Sequence, residues 1–307
     1  MRVAIIGQQA FGKAVLDALL KRGDEVAGAF VAPEAPDANP DPLAAGARAA
    51  GLPVFPTAKF GAQESIDALR RLEVDLAIMA YVLHFVPQSF CRVPRLGTIQ
   101  FHPSLLPEYR GPSSINWPII LGKKQTGLSI FRPVDGLDEG PVLLQKAVEI
   151  GPDDTLGSVY FNKIFPAGVA ALLEAADLLM AGKAEERPQP REGASYQGRV
   201  GKAESRINWA NPVDVVYNLI RGCNPSPGAW TMANGRRLHL FDARKTVAGT
   251  FGEVKGLRPG QVAAIGASSF TVYAQGGFIE VERCRYEEAG KIGGGESGLE
   301  IGKILGE

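Results

Sequence analysis

Over the first 130 residues, short apolar runs alternate with segments of helical period, and few architectures accept that pattern. "RVAIIG" (2–7) is almost continuously apolar, the mark of a strand covered on both faces. "FGKAVLDALLKRG" (11–23) has helical spacing and a closing glycine. "DEVAGAFV", "LPVFP", "DLAIMAYV" and "TIQFH" read as further strands, with helices predicted over "DPLAAGARAAG" and "ESIDALRRLEV". Alternation of this kind predicts an α/β fold with a doubly wound, mostly parallel sheet. "TGLSIFRPV" (126–134) and "PVLLQKAVEI" (141–150) predict an antiparallel extension of it. A long helix is then expected over 153–182, opened by capping residues and closed by Gly182.

The pattern changes after that helix. "KAEERPQPREGASYQGRVGKAES" (183–205) is polar, carries prolines and glycines, and reads as a linker. The expected boundary lies near residue 203, with domains over 1–203 and 204–307. The second domain is predicted to hold a short helix, "PVDVVYNLIRG", and strands such as "RRLHLFDAR", "SFTVYAQ" and "GFIEVERCRY". Short strands at this spacing predict a small β-barrel of OB-like type. "GGGES" (293–297) is expected to be a flexible loop tip.

Charge and cysteine content narrow the function classes. The 307-residue chain has 33 Lys plus Arg and 33 Asp plus Glu, so no bulk positive charge points to nucleic acid or an anionic membrane. Three scattered cysteines suggest neither a disulfide framework nor a zinc site, and a reducing cytoplasm is the expected location. No run approaches the roughly 18 apolar residues of a membrane span.

Two features carry chemistry. The turn "GQQAFG" (Gly7 to Gly12) follows the first strand, but Gln9 stands where a dinucleotide fingerprint has its middle glycine. A tight turn that packs helix on strand is the preferred reading, and no NAD site is expected. The second feature is His102, one of only three histidines, at the end of "TIQFH". Ligands of open α/β sheets bind outside the carboxyl ends of the strands. Asp138 lies in the acidic turn "PVDGLDEGPV", and its distance from His102 in space does not follow from the spacing. No metal site is implied by the spacing of ligand-type residues.

"FHPSLLPEYRGPSSINW", followed 36 residues after His102 by the Asp138 of "DGLDEG", resembles the formyltransferases that use 10-formyltetrahydrofolate. That family includes methionyl-tRNA formyltransferase, sugar-amine formyltransferases and the N-terminal hydrolase domain of 10-formyltetrahydrofolate dehydrogenase. "RVAIIGQQAFG", "DDTLGSVYFNKIFP", "RPQPREGASYQG", "INWANP" and "NPSPGAW" extend the resemblance to nearly the whole chain, in a pattern most similar to the hydrolase domain. The resemblance implies a Rossmann-like catalytic domain and an enzyme of one-carbon metabolism with 10-formyltetrahydrofolate as formyl donor. With the chain ending at 307, neither an aldehyde dehydrogenase domain nor a carrier-protein domain is expected.

By the same resemblance, His102 and Asp138 are the catalytic pair. His84, Phe85 and Val86, the turn from Asp135 and Gly136 to Asp138, and Ser104, Leu105, Leu106 and Pro107 form the folate site. Gln100 departs from the pattern: the transferases usually carry asparagine there and the hydrolase domain an apolar residue. A retained amide donor implies transfer to a small amine with some hydrolysis to tetrahydrofolate and formate. The alternatives are a 10-formyltetrahydrofolate hydrolase, a methionyl-tRNA formyltransferase, and a catalytically silent folate-binding module. Initiator tRNA is an unexpected acceptor. In tRNA-acting relatives the loop after the second strand is basic, whereas "VAPEAPDANPDP" (31–42) carries Glu34, Asp37 and Asp41 and no Lys or Arg. The C-terminal stretch 201–307, with 13 basic and 11 acidic residues, offers little compensation.

Overall fold

The computed structural model describes residues 1–35, 39–287 and 289–306. Asp37, one of the acids of the 31–42 stretch, therefore lies outside the described residues.

In chain order the first elements are β1 (Arg2–Gly7), α1 (Gln9–Arg22), β2 (Glu25–Val31), α2 (Pro42–Ala49), β3 (Val54–Pro56), α3 (Gln63–Arg71), β4 (Leu76–Ala80), α4 (Gln88–Cys91) and β5 (Thr98–His102). They follow the predicted alternation. Every residue of β4 is buried, as are the last five of β1. Helix α1 ends where Gly23 takes a left-handed φ of 86°, and its N–H bonds back to the Leu19 and Leu20 carbonyls. Helix α2 starts because Asp41 accepts from the Leu43 and Ala44 N–H groups.

The chain continues through α5 (Asn116–Ile120), β6 (Gln125–Phe131), β7 (Val142–Glu149), α6 (Leu156–Val159) and α7 (Phe165–Met180). Strands β1 to β7 form one sheet in the order β3-β2-β1-β4-β5-β6-β7. The ladders from β3 to β5 are parallel, and β5 pairs antiparallel with β6. Strand β1 is the first laid down and sits beside β4, so the winding direction reverses between them. That reversal opens a crevice at the strands' carboxyl ends. One face of the sheet is sealed by Phe30, Phe60, Ile66, Leu69, Met79 and Phe90. On the other, Phe11 meets Phe101 at 4.4 Å and Phe165 at 5.2 Å between ring centroids. Full burial of one such ring contributes about 1.5–3 kcal/mol.

The long helix predicted over 153–182 runs without a gap from Leu156 to Met180, but it changes its hydrogen-bond spacing once. Thr155 and Ser158 form a capping box for α6, a π-helical turn covers Tyr160–Ile164, and α7 then starts with a proline in its first turn. Pro166 has no N–H to give to the ladder, so the hydrogen-bond spacing shifts where it enters.

The last elements are α8 (Val213–Gly222), β8 (Ala229–Ala233), β9 (Arg236–Val247), α9 (Phe251–Val254), β10 (Val262–Ile265), β11 (Phe270–Ala274), β12 (Gly277–Tyr286) and β13 (Ile292–Gly293). They make a six-stranded antiparallel sheet in the order β10-β11-β12-β9-β8, with β13 on β12. Trp209, Val216, Tyr217, Ile220, Leu238, Leu240 and Val272 form its core. The "GGGES" segment is not a loose tip. Gly293 pairs with Arg283, and a short 3-10 turn follows. Gly294 is buried, and a Cβ there would sit 2.2 Å from the Val281 carbonyl oxygen, so only glycine permits this approach.

The chain divides into two compact units. The first holds Met1–Gly111, Gly127–Val148 and Lys163–Tyr196; the second holds Pro112–Thr126, Glu149–Asn162 and Gln197–Glu307.

Candidate active site

Residues alternate along a strand, so Thr98, Gln100 and His102 of β5 share one face. Phe101 points the other way, onto Phe11. Across the ladder His102 faces Ser129 of β6. The Ser129 hydroxyl donates to the Ser104 carbonyl at 2.7 Å and accepts from the Leu106 N–H at 3.0 Å. The Ser104 hydroxyl donates to the Glu108 carbonyl at 2.6 Å. These bonds fold the chain back directly after the strand, which brings the Tyr109 carbonyl to the His102 ring.

His102 Nε2 lies 2.9 Å from that carbonyl oxygen. A carbonyl can only accept, so Nε2 carries a hydrogen. Nδ1 is then left facing Asp138 Oδ2, 3.6 Å away. The same carboxylate oxygen accepts the Gly111 N–H at 2.9 Å. His102 is 5% exposed and Asp138 8%, so the pair is shielded from water and its electrostatic coupling is strengthened. Tyr109 and Asp138 have φ of 56° and 54°, left-handed values that non-glycine residues hold only when their surroundings fix them. The pairing that sequence spacing left open is thus made by tertiary structure.

Residues 1–175 match the family model described as formyl transferase, and 199–296 match the formyl transferase C-terminal domain. The chain belongs to the formyl transferase family. It is 39% identical over 281 residues to the cytosolic 10-formyltetrahydrofolate dehydrogenase of Mus musculus, covering 88% of this chain and 31% of that protein. The chain thus spans about a third or less of the length of the dehydrogenases it matches. It is 32% identical over 316 residues to a methionyl-tRNA formyltransferase of Geobacter sulfurreducens, covering 100% of this chain and 97% of the relative. HypX from Aquifex aeolicus, solved in complex with tetrahydrofolic acid, shares the fold: TM-score 0.70, 18% identity, 99% of this chain and 50% of that one.

The remaining predicted site residues fall into two groups. Phe85 is 66% exposed, and His84, Asp135 and the half-buried Gly136 are open to solvent. Gln100 is half-buried, and among the described residues its amide has no hydrogen-bond partner. Leu105 and Pro107 are also partly open. In contrast, Val86 is buried in the core of the first unit, Leu106 packs with Phe131 and Val142, and Ser104 is wholly buried with its hydroxyl committed.

The glycine turn after β1 has a packing role. A Cβ on Gly7 would sit 1.9 Å from the Ala80 carbonyl oxygen of β4, so the glycine is demanded by the neighbouring strand. Gly7, Gln8, Ala32, Tyr81 and His84 line a small cleft at the ends of β1, β2 and β4.

Sequence reasoning missed a strap on the site. The stretch predicted as a linker is bonded to the first unit through Tyr196. Arg187 bridges to Val142, and Ser195 Oγ accepts the Tyr109 N–H at 2.9 Å. Gln189 Nε2 donates to the Asp138 and Gly140 carbonyls at 2.7 and 2.8 Å. Apart from Arg187, which bridges to the first residue of β7, the strap's partners are loops, so its polar residues show no strand or helix period. The one signal was the presence of "RPQPREGASYQG" among the motifs of the resemblance.

Burial pushes the Cys91 thiol up to about 11, Cys223 to about 12 and Cys284 to about 11, values that leave no thiolate nucleophile near neutrality. Among the described residues no group of three His, Cys, Asp or Glu is placed to hold a metal ion. No described helix is long and apolar enough to cross a membrane.

Proposed function

We propose that this protein takes the formyl group of 10-formyltetrahydrofolate and passes it to a small amine, with some hydrolysis to tetrahydrofolate and formate. The observation that carries this reading is the buried His102–Asp138 pair, with the amide of Gln100, which has no hydrogen-bond partner among the described residues, on the same strand face. Formyl transfer is acyl transfer: the acceptor nitrogen bonds to the formyl carbon, the carbon–N10 bond breaks, and one proton moves from acceptor to N10. The chain must stabilise the tetrahedral oxyanion and carry that proton. Gln100 donates its amide N–H to the oxyanion. His102 carries the proton at Nδ1, because Nε2–H is held by the Tyr109 carbonyl. Asp138 stabilises the ring while it is charged.

The folate site combines two kinds of contact. Exposed side chains such as Phe85 offer a face to the pterin, while Val86, Ser104 and Asp138, buried as they are, contribute through backbone. His84, Asp135, Gly136, Leu105, Leu106 and Pro107 complete the lining. We assign catalysis to residues 1–203 and a supporting role to 204–307, and place the protein in the cytoplasm, which suits its three buried, unpaired cysteines.

Hydrolysis as the main reaction is the second reading, favoured by the 39% identity to 10-formyltetrahydrofolate dehydrogenases. Initiator tRNA is the least favoured acceptor. The stretch 31–42 carries no Lys or Arg, and its Glu34 already engages the nearby Arg48 at 2.8 Å, so it offers a phosphate no unengaged cation. The test follows loss of 10-formyltetrahydrofolate with no acceptor, with small amines, and with methionylated initiator tRNA. Acceleration by an amine supports the proposal. Equal rates with and without amine make the protein a hydrolase, efficient formylation of the tRNA replaces the acceptor, and no turnover in any arm leaves a binding module.

A further inference from the structure

We propose that Gln189 is a positioning residue whose amide ties the Asp138 turn to the Arg110 segment and thereby sets the Asp138 carboxylate against His102. The inference rests on the reading of His102 and Asp138 as the catalytic pair. All four hydrogen-bonding positions of the amide are engaged. Nε2 donates to Asp138 O and Gly140 O at 2.7 and 2.8 Å, using both of its hydrogens. Oε1 accepts from Arg110 NH2 at 2.8 Å and Nε at 3.3 Å, using both lone pairs. Arg110 also reaches Glu139, next to Asp138, at 3.0 Å.

The consequence lies in what the two ends carry. One end is the backbone of Asp138, whose side chain faces His102 Nδ1. The other is the residue after Tyr109, whose carbonyl holds His102 Nε2. One side chain therefore joins the two groups that orient the imidazole from opposite edges. Both Asp138 and Tyr109 hold left-handed backbone that relaxes unless clamped. Gln189 is itself held stiffly, since Pro188 and Pro190 flank it and each locks its own φ. The 3.6 Å gap between His102 and Asp138 leaves little tolerance: a shift of about 1 Å in a supporting element can cost roughly a hundredfold in rate.

The test uses the full chain with two substitutions at one position. Gln189→Met keeps the length and loses every hydrogen bond. Gln189→Glu keeps the acceptor for Arg110 but turns an acceptor toward two carbonyls. Both are expected to lower turnover of 10-formyltetrahydrofolate by about tenfold to a hundredfold, with tetrahydrofolate affinity falling less than turnover. In an Asp138→Asn background Gln189→Met should add almost nothing, because its target is already gone. Thermal melting checks that each variant folds. If Gln189→Met does not fold, Arg110→Met, which keeps both Nε2 hydrogen bonds while freeing Oε1 and the Glu139 carboxylate, is judged by the same cycle. A Glu variant as active as wild type, or a Gln189→Met loss that adds in full to that of Asp138→Asn, overturns the inference. Those outcomes differ from failure of the underlying reading, which would show as undiminished turnover in His102→Ala.

Discussion

Strands β4 and β5 are parallel neighbours, and both end at the face where the folate is proposed to lie. After β5 the chain is closed: His102, Ser104, Leu106 and Tyr109 are all buried, and the segment is bonded to β6, to the Asp138 turn and to the 187–196 strap. After β4 it is open. Tyr81, Leu83 and Phe85 are 42%, 61% and 66% exposed. Val86, Phe90 and Cys91, with the partly buried Val82, anchor that loop in the core. The contrast separates two tasks. A group that moves protons must be held before the substrate arrives, since reorganisation at the moment of reaction costs rate. A group that grips a flat ring can keep an exposed aromatic face, at the cost of ordering it on binding.

The comparison breaks most sharply at the closed end. His102→Ala and Asp138→Asn are each expected to lower turnover by about a hundredfold to ten-thousandfold with little change in melting temperature. Steady-state loss of 10-formyltetrahydrofolate measures it, and near wild-type rates in a folded His102→Ala protein would remove the chemistry from β5.

Next comes Gln100, where the closed end opens to ligand. Gln100→Ile should depress transfer by roughly a hundredfold, through loss of about 3 kcal/mol of oxyanion stabilisation, and hydrolysis by less. Gln100→Asn should preserve transfer. Assaying formylated amine and formate side by side decides it: equal losses in both reactions would show that Gln100 does not set the branch.

At the open end, Phe85→Ala should raise KM for the folate about fivefold, an aromatic contact worth about 1 kcal/mol, while leaving kcat nearly unchanged. A fall in kcat with KM constant would mean that the β4 loop takes part in the chemistry and would erase the distinction drawn between the two ends.

The smallest effect sharpens the contrast through Cys91, whose Sγ bonds to the Val86 carbonyl at 3.6 Å beneath the open loop. Burial raises this thiol from 9.0 to about 11, so the folded state keeps its proton longer than the unfolded chain. The associated stability is fully present below about pH 9 and declines as pH rises toward 11. Thiol reagents at pH 8 should react with unfolded protein and only slowly with native protein. Fast native labelling of Cys91 would show that the loop after β4 opens down to its anchors.

The parallel sheet was legible because a strand covered on both faces must be apolar along its covered length, as β4 is and as β1 is after Arg2. His102 was legible as a polar residue at the carboxyl end of such a strand. The π-helical turn just before Pro166 was hidden by intact apolar spacing on both sides of it. The packed Gly294 turn was hidden because glycines demanded by close approach and glycines of a loose loop look alike in one sequence.

The sequence by itself determined which segments are strands and helices, since burial imposes a period of two or 3.6 residues on each segment separately. Resemblance to a family then supplied roles for single residues. Only the tertiary structure decided that His102 and Asp138 share one buried site, and that Gln189, far along the chain in an aperiodic stretch, reaches the same turn. His102 and Asp138 meet through side chains 36 residues apart, and Gln189 Nε2 bonds to loop backbone groups about 50 residues away. A hydrogen bond to such a group leaves no period in the chain that makes it, and its geometry exists only once the sheet has brought the loops together.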